Sequence, residues 1–331
     1  MKKTLKKSIF FNKIIFYLGY FWFNLTGKTL HYSKMAMINL YCLTNGVFIS
    51  KFNERFKFKN EFKFLKNESI LGEYSLEKKI KTVKELEEQG YVILDFSLDE
   101  KIIDSLVDFS IKTKANVQNK MIFFDKKNIV SNIYRFRNED LLNNSVVQKI
   151  IMDPQLIEFA RDYFKCDPIF DFSAMWYSTT FNKNITDDAA QDYHFDFDTT
   201  KWLKIFIYLT DVNDFNGPHC YISSSHKDNS KPLELLKRGY VRISDEEISK
   251  YYSYDRFKEI KGKKGTIVLG DSLCWHKGKN ILKENRLIFQ MQFSASLFGS
   301  NTPKVILNNY TDDFKKFCKS NKTYSQNIIF K

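Results

Sequence analysis

The chain has 331 residues, 43% of them hydrophobic and 16% aromatic, which suffices for one large or two ordinary packed domains and excludes an intrinsically disordered chain. Lysine and arginine exceed aspartate and glutamate by 13 (52 minus 39); both a coding bias toward lysine and a surface that attracts anionic partners fit this excess. No zinc-finger spacing, helix-turn-helix or RNA-binding signature accompanies it, so no nucleic-acid partner is expected. Five widely spaced cysteines (Cys42, Cys166, Cys220, Cys274 and Cys318) argue against a disulfide framework or a thiolate metal site and suit a reducing, cytoplasmic setting.

Residues 1–75 read as a basic, aromatic-rich extension. Lys2, Lys3, Lys6 and Lys7 precede an apolar run from Ile14 to Phe23. The run is too short to span a bilayer, and no small-residue cleavage site follows it. Three readings stay open: a helix packed on the core or on a second subunit, an interfacial helix that makes peripheral contact with an anionic membrane through residues 9–25, and an export signal. Phe52 to Lys59 continues the basic-aromatic character as a linker.

From Leu76 to Gln89 the apolar spacing of Ile80, Val83 and Leu86 predicts a helix, with Gly90 as its stop. Tyr91 to Phe96 reads as a strand. Ser97-Leu98-Asp99-Glu100 reads as a capping box that opens a helix with Leu98, Ile102, Leu106 and Phe109 inward. Residues 112–150 are polar, with one strand signal at Met121 to Phe124. Asp153-Pro154 supplies an N-cap and first-turn proline for a helix to about Phe164. A strand from Ile169 to Thr179 leads into a polar loop, Asn182 to Asp188, placed as a lid over whatever site follows.

Asp192-Tyr193-His194-Phe195-Asp196-Phe197-Asp198 alternates strictly between polar and aromatic residues. As a strand it would carry a histidine and three carboxylates on one face and three aromatic rings on the other. His194 and Asp196, two apart, match two of the three ligands of a 2-His-1-carboxylate site, which leaves positions open on iron(II). A second His-x-Asp pair, His226/Asp228, sits in turn chemistry after three serines and lacks strand alternation, so we read His194/Asp196 as the ligand pair.

Leu203 to Leu209 predicts a strand with Lys204, Phe206 and Tyr208 on one face; Lys204 is either a surface lysine or a second cation lining a pocket. Residues 228–260 read as an insertion, with a capping box at Ser244 and Glu247. Gly265 to Gly270 is a short buried strand, followed by a distal histidine, His276. Cys274, two before it, reads as packing. Arg286 opens a strand whose polar face holds Gln290, Gln292 and Ser294, opposite Leu287, Phe289, Met291 and Phe293. Residues 299–331 read as a tail.

Together these pieces resemble the phytanoyl-CoA dioxygenase family of iron(II)/2-oxoglutarate oxygenases, from about Lys79 to Phe298. The resemblance is carried by Glu88 to Leu94, His194-Phe195-Asp196, Tyr208 to Val212, Asn216-Gly217-Pro218-His219, Ser225-His226-Lys227, Trp275-His276-Lys277-Gly278 and Arg286. It implies a mainly β fold with flanking helices around a double-stranded β-helix, a jelly-roll or cupin-like core. It implies that residues 76–298 are the oxygenase domain. It implies His194, Asp196 and His276 as ligands of Fe(II), Arg286 as the partner of the far carboxylate of 2-oxoglutarate, and dioxygen as the other cosubstrate. Gly278 stands where the family often has a small hydroxyl residue. The activity implied is hydroxylation of an unactivated C–H bond in a small or carrier-linked substrate. A non-catalytic jelly-roll binding module and a membrane-associated adaptor are the competing readings.

Overall fold

The computed structural model describes residues 8–58, 62–65, 69–72, 74–181 and 191–331; the expected lid at Asn182 to Asp188 and the first four lysines lie outside these residues. The described residues begin with the helices α1 (Ile9–Thr26), α2 (His31–Thr44) and α3 (Val47–Asn53). The Ser8 hydroxyl accepts from Phe11 N at the start of α1, and Gly27, at φ 69°, ends it. Helices α1 and α2 touch closely: a Cβ on Gly19 would lie 1.7 Å from Ser33 Oγ.

Helix α4 (Leu76–Gln89) runs into β1 (Tyr91–Ser97), then α5 (Glu100–Lys112), β2 (Ala115–Val117), β3 (Lys120–Ile122) and β4 (Ile133–Phe136). Gly90 ends α4 at φ 82°, and a Cβ there would meet Cys274 Sγ at 2.3 Å and His226 Nδ1 at 2.6 Å. Both the conformation and the space therefore demand glycine. The cap of α5 is Asp99, whose carboxylate accepts from Lys101 N at 2.8 Å. The box expected from Ser97 does not form, because Ser97 is the last residue of β1 and pairs with Thr266.

Three helices follow, α6 (Asn138–Leu142), α7 (Ser145–Ile151) and α8 (Pro154–Phe164); Asp153 caps α8 as expected, accepting from Leu156 N at 2.9 Å. The remaining elements are β5 (Ile169–Ser178), β6 (Trp202–Tyr208), β7 (His219–Ile222), α9 (Leu233–Leu236), α10 (Asp245–Ile248), β8 (Phe257–Ile260), β9 (Thr266–Gly270), β10 (His276–Gly278), β11 (Arg286–Ser294), β12 (Val305–Leu307), α11 (Asp312–Ser320) and β13 (Ile328–Phe330).

The strands form a double-stranded β-helix. An eight-stranded sheet runs β1-β9-β6-β11-β5-β4-β2-β3, and a smaller sheet runs β10-β7-β8; their paired neighbours are antiparallel. Between them lies an inner core of Phe206, Tyr208, Val268 and Ile288 from the large sheet and Tyr221 and Ile260 from the small one. The outer face of the large sheet meets the helices: Leu203, Ile205, Ile207, Leu287, Phe289, Met291 and Phe293 join one cluster with Leu156, Phe159 and Phe164. Every residue of β11 is buried, so its polar face is an interior wall. The segment after 298 is more than a tail: Phe314, Phe317 and Tyr324 complete the helix-side core. The last four residues of the expected insertion are β8, which pairs with β7.

Candidate metal centre

Residues 192–198 do not form the full strand that their alternation predicts. Only Tyr193 and His194 bridge, to Ile243 and His276 respectively, and the rest is irregular. The sidedness nevertheless holds. Tyr193, Phe195 and Phe197 enter an aromatic cluster that also contains Tyr41, Trp202 and Trp275. Phe195 lies 4.9 Å from Trp275 and 5.4 Å from Tyr41, and Phe197 lies 4.7 Å from Tyr41, centroid to centroid.

Backbone hydrogen bonds set the polar side. His194 N donates to His276 O at 3.0 Å, His276 N donates to His194 O at 2.8 Å, and Asp196 N donates to Ser272 O at 2.8 Å. The two imidazoles consequently sit side by side, 4.4 Å between centroids. Each Nδ1 faces a carbonyl at 2.9 Å, that of Asp192 for His194 and that of Cys274 for His276. A carbonyl only accepts, so each Nδ1 carries a proton, and each Nε2 is the nitrogen turned toward Asp196. His194 Nε2 is 3.7 Å from Asp196 Oδ1, and His276 Nε2 is 3.5 Å from Asp196 Oδ2. One ligand atom from each of the three residues lies within 4.8 Å of the others. Burial, with His276 close by, pulls the His194 imidazole down to about 3, so it stays neutral as a ligand must. Burial alone would raise the Asp196 carboxyl, but Lys204 and the two histidines outweigh it and hold it well below the usual carboxylate range.

Lys204 is thus the pocket cation rather than the surface lysine; its Nζ donates to Asp196 Oδ2. Strand β6 places it opposite Gln292 of β11. Arg286, 4% exposed, stands on the same inner wall. Its Nη2 donates to Ser178 Oγ at 3.3 Å, across the β11–β5 register. Its Nε and Nη1 are buried without a hydrogen-bond partner among the described residues. Burial pulls the guanidinium down to about 10, the mark of a buried cation short of a counter-charge. His219, whose Nδ1 is also buried and unpartnered among the described residues, packs on Phe206 at 4.4 Å. Burial, then Arg286 and His276, hold it neutral.

The residues fit the groups the resemblance implies. Two imidazoles and one ionised carboxylate converge as a 2-His-1-carboxylate set does. A fixed planar fork with two orphaned nitrogens suits a carboxylate better than an ammonium would. The hydroxyl missing at Gly278 has a counterpart in Ser178, which comes from another strand and carries no sequence signal of its own.

The second His-x-Asp pair is structural. Asp228 accepts from Ser50 Oγ at 2.7 Å, and His226 contacts Glu87 O at 3.1 Å and Cys274 Sγ at 3.5 Å. Cys274 accordingly packs behind the site, outside the ligand cluster.

Compared with known proteins, residues 86–284 match the family model described as phytanoyl-CoA dioxygenase (PhyH). No curated protein matches the chain by sequence. Similar solved structures include HygX from Streptomyces hygroscopicus with nickel and 2-oxoglutarate bound, at 15% identity and TM-score 0.49, over 73% of this chain and 94% of that one. EctD from S. alaskensis with bound Fe is similar at 15% identity and TM-score 0.48, over 72% and 87%. The epimerase SnoN from nogalamycin biosynthesis, in complex with Fe3+, alpha ketoglutarate and nogalamycin RO, is similar at 12% identity and TM-score 0.46, over 66% and 84%.

Proposed function

Because the chain belongs to the phytanoyl-CoA dioxygenase (PhyH) family, an iron(II)/2-oxoglutarate-dependent oxygenase family, we propose that it hydroxylates an unactivated C–H bond of a small or carrier-linked substrate. The observation that carries this reading is the His194–Asp196–His276 cluster beside an inner wall that holds both Lys204, bonded to Asp196, and Arg286, two of whose nitrogens lack a partner among the described residues. In this reading His194 Nε2, His276 Nε2 and an Asp196 oxygen hold Fe(II). Arg286, steadied by Ser178, takes the far carboxylate of 2-oxoglutarate. Iron(II), 2-oxoglutarate and dioxygen together supply the oxidising chemistry; the protein's part is to bind, aim and exclude water. Asp196 supplies one negative charge, which lowers the net charge at the metal; its retention favours hydroxylation over halogenation, since halogenating relatives lack this carboxylate. Lys204 keeps it ionised, and the apolar and aromatic residues behind the loop keep water from the backs of the ligands.

The test is release of succinate by purified protein across a panel of glycans, nucleotide sugars and acyl carriers. Turnover should require Fe(II), 2-oxoglutarate and one class of acceptor. Iron-independent turnover, or none above the blank with any acceptor class, would argue for a non-catalytic binding module.

A further inference from the structure

Helix α1 has two unlike sides. One side docks: Asn12, Phe16 and Gly19 are buried, Asn12 Oδ1 accepts from Asn39 Nδ2 at 3.0 Å, and Phe16 packs on Phe298 at 5.3 Å. The other side is apolar and bare. Phe10 is 68% exposed, Leu18 66%, Phe21 63% and Leu25 66%, with Ile14 and Trp22 above 40%. Phe10, Ile14, Leu18, Phe21 and Leu25 recur at helical spacing, so they form one stripe about 25 Å long. A contiguous apolar stripe of this size on a folded protein marks a contact surface.

No helix among the described residues is long and apolar enough to cross a membrane, and α1 needs its other side for the protein. What remains is a partner that accepts an apolar stripe lying flat. Charge decides its nature. Residues 1–53 contain eight lysines and no acidic residue; the first carboxylate of the chain is Glu54. A second copy seated on this stripe would bring two such lysine-rich segments together, since a two-fold contact pairs a patch with itself. An anionic bilayer surface instead satisfies both features, with the stripe among the acyl chains and the lysines at the headgroups. Trp22 and Tyr32, the latter 78% exposed, are residue types that settle at that boundary.

We propose that α1 is an interfacial helix that holds the enzyme on an anionic membrane surface, its outer stripe sunk below the headgroups. This does not depend on the chemistry proposed above, since metal binding and membrane binding are read separately. The experiment is co-sedimentation of the full chain with vesicles of phosphatidylcholine alone and of phosphatidylcholine mixed with phosphatidylglycerol. Binding to the mixed vesicles should exceed binding to neutral ones and weaken with salt. Leu18→Ser combined with Phe21→Ser should lower affinity for mixed vesicles by roughly tenfold or more while metal binding is kept. Should that variant misfold, Lys13→Glu with Lys28→Glu, which leaves the stripe untouched, should reduce binding to the mixed vesicles only. Failure of the full chain to bind mixed vesicles overturns the proposal. So does equal binding to neutral ones, or a dimer that the Leu18/Phe21 variant dissociates with no vesicle binding in either form.

Discussion

At the scale of single residues, Arg286 is the group whose environment asks most clearly for a ligand. Its buried guanidinium, with Nε and Nη1 unpartnered among the described residues, pays for desolvation without return until a carboxylate arrives. Arg286→Ala should weaken 2-oxoglutarate binding to the manganese-loaded protein by about thirtyfold or more, and Arg286→Lys should recover only part of it, both by calorimetric titration. Asp196→Ala should lower metal affinity and abolish succinate release, whereas Asp228→Ala, which removes the contact with Ser50, should leave metal affinity unchanged. The reverse pattern would mean that the other His-x-Asp pair holds the metal. The convergence of His194, Asp196 and His276 was legible in the sequence through alternation, order along the chain and the family resemblance, while the assignment of Arg286 to a keto acid rests on the resemblance. Ser178 was not legible, because its role depends on the β5–β11 register, which no local pattern encodes. Lys204 was half legible: alternation put it on the face of Phe206 and Tyr208, but only the fold shows that this face lines the site.

Among the elements, the stretch 192–198 shows how a pattern survives when its expected element does not. Two-residue alternation needs an extended backbone, not a ladder, and the loop keeps it with bridges at Tyr193 and His194 alone. What holds the loop is the layer behind it. Lys231, fully buried, donates to Leu273 O at 2.6 Å and to Ser225 O, and its Nζ lies 5.1 Å from the Phe195 ring and 5.5 Å from Tyr41. Burial pulls this ammonium from 10.5 down to about 8. Below about pH 8 it is charged in both folded and unfolded chains, and its burial is a standing cost. Between about 8 and 10.5 the unfolded chain keeps the proton that the folded chain has released, so its contribution to stability rises with pH. Lys231→Met has no such group. The stability of wild type relative to this variant should therefore rise by up to about 3 kcal/mol across that window, as read by urea unfolding at stepped pH. A difference independent of pH would show that the folded chain holds the Lys231 proton as tightly as the unfolded chain does.

For the whole molecule, the N-terminal helices belong to the site's support. Tyr41 of α2 packs on Phe195 and Phe197, Asn45 Nδ2 donates to Lys231 O at 2.8 Å, and Phe52 joins the same aromatic cluster. The sequence shows the basic-aromatic character of this region but not which of its rings face inward, since apolar residues surround α1 on nearly every side. Tyr41→Ala should cost about 3 kcal/mol of stability and weaken metal binding with it. Removing residues 1–56 should likewise abolish metal binding, by stripping the backing from Phe195 and Phe197; a truncated chain that still binds metal would show the extension to be dispensable. Three protein groups and one guanidinium should jointly seat a divalent cation and a keto acid, which a crystal structure with manganese and 2-oxoglutarate would reveal. Metal should be bonded to His194 Nε2, Asp196 and His276 Nε2, with the far carboxylate of 2-oxoglutarate on Arg286. Metal bound away from these three side chains, or a keto acid whose carboxylate leaves Arg286 unpaired, would contradict it.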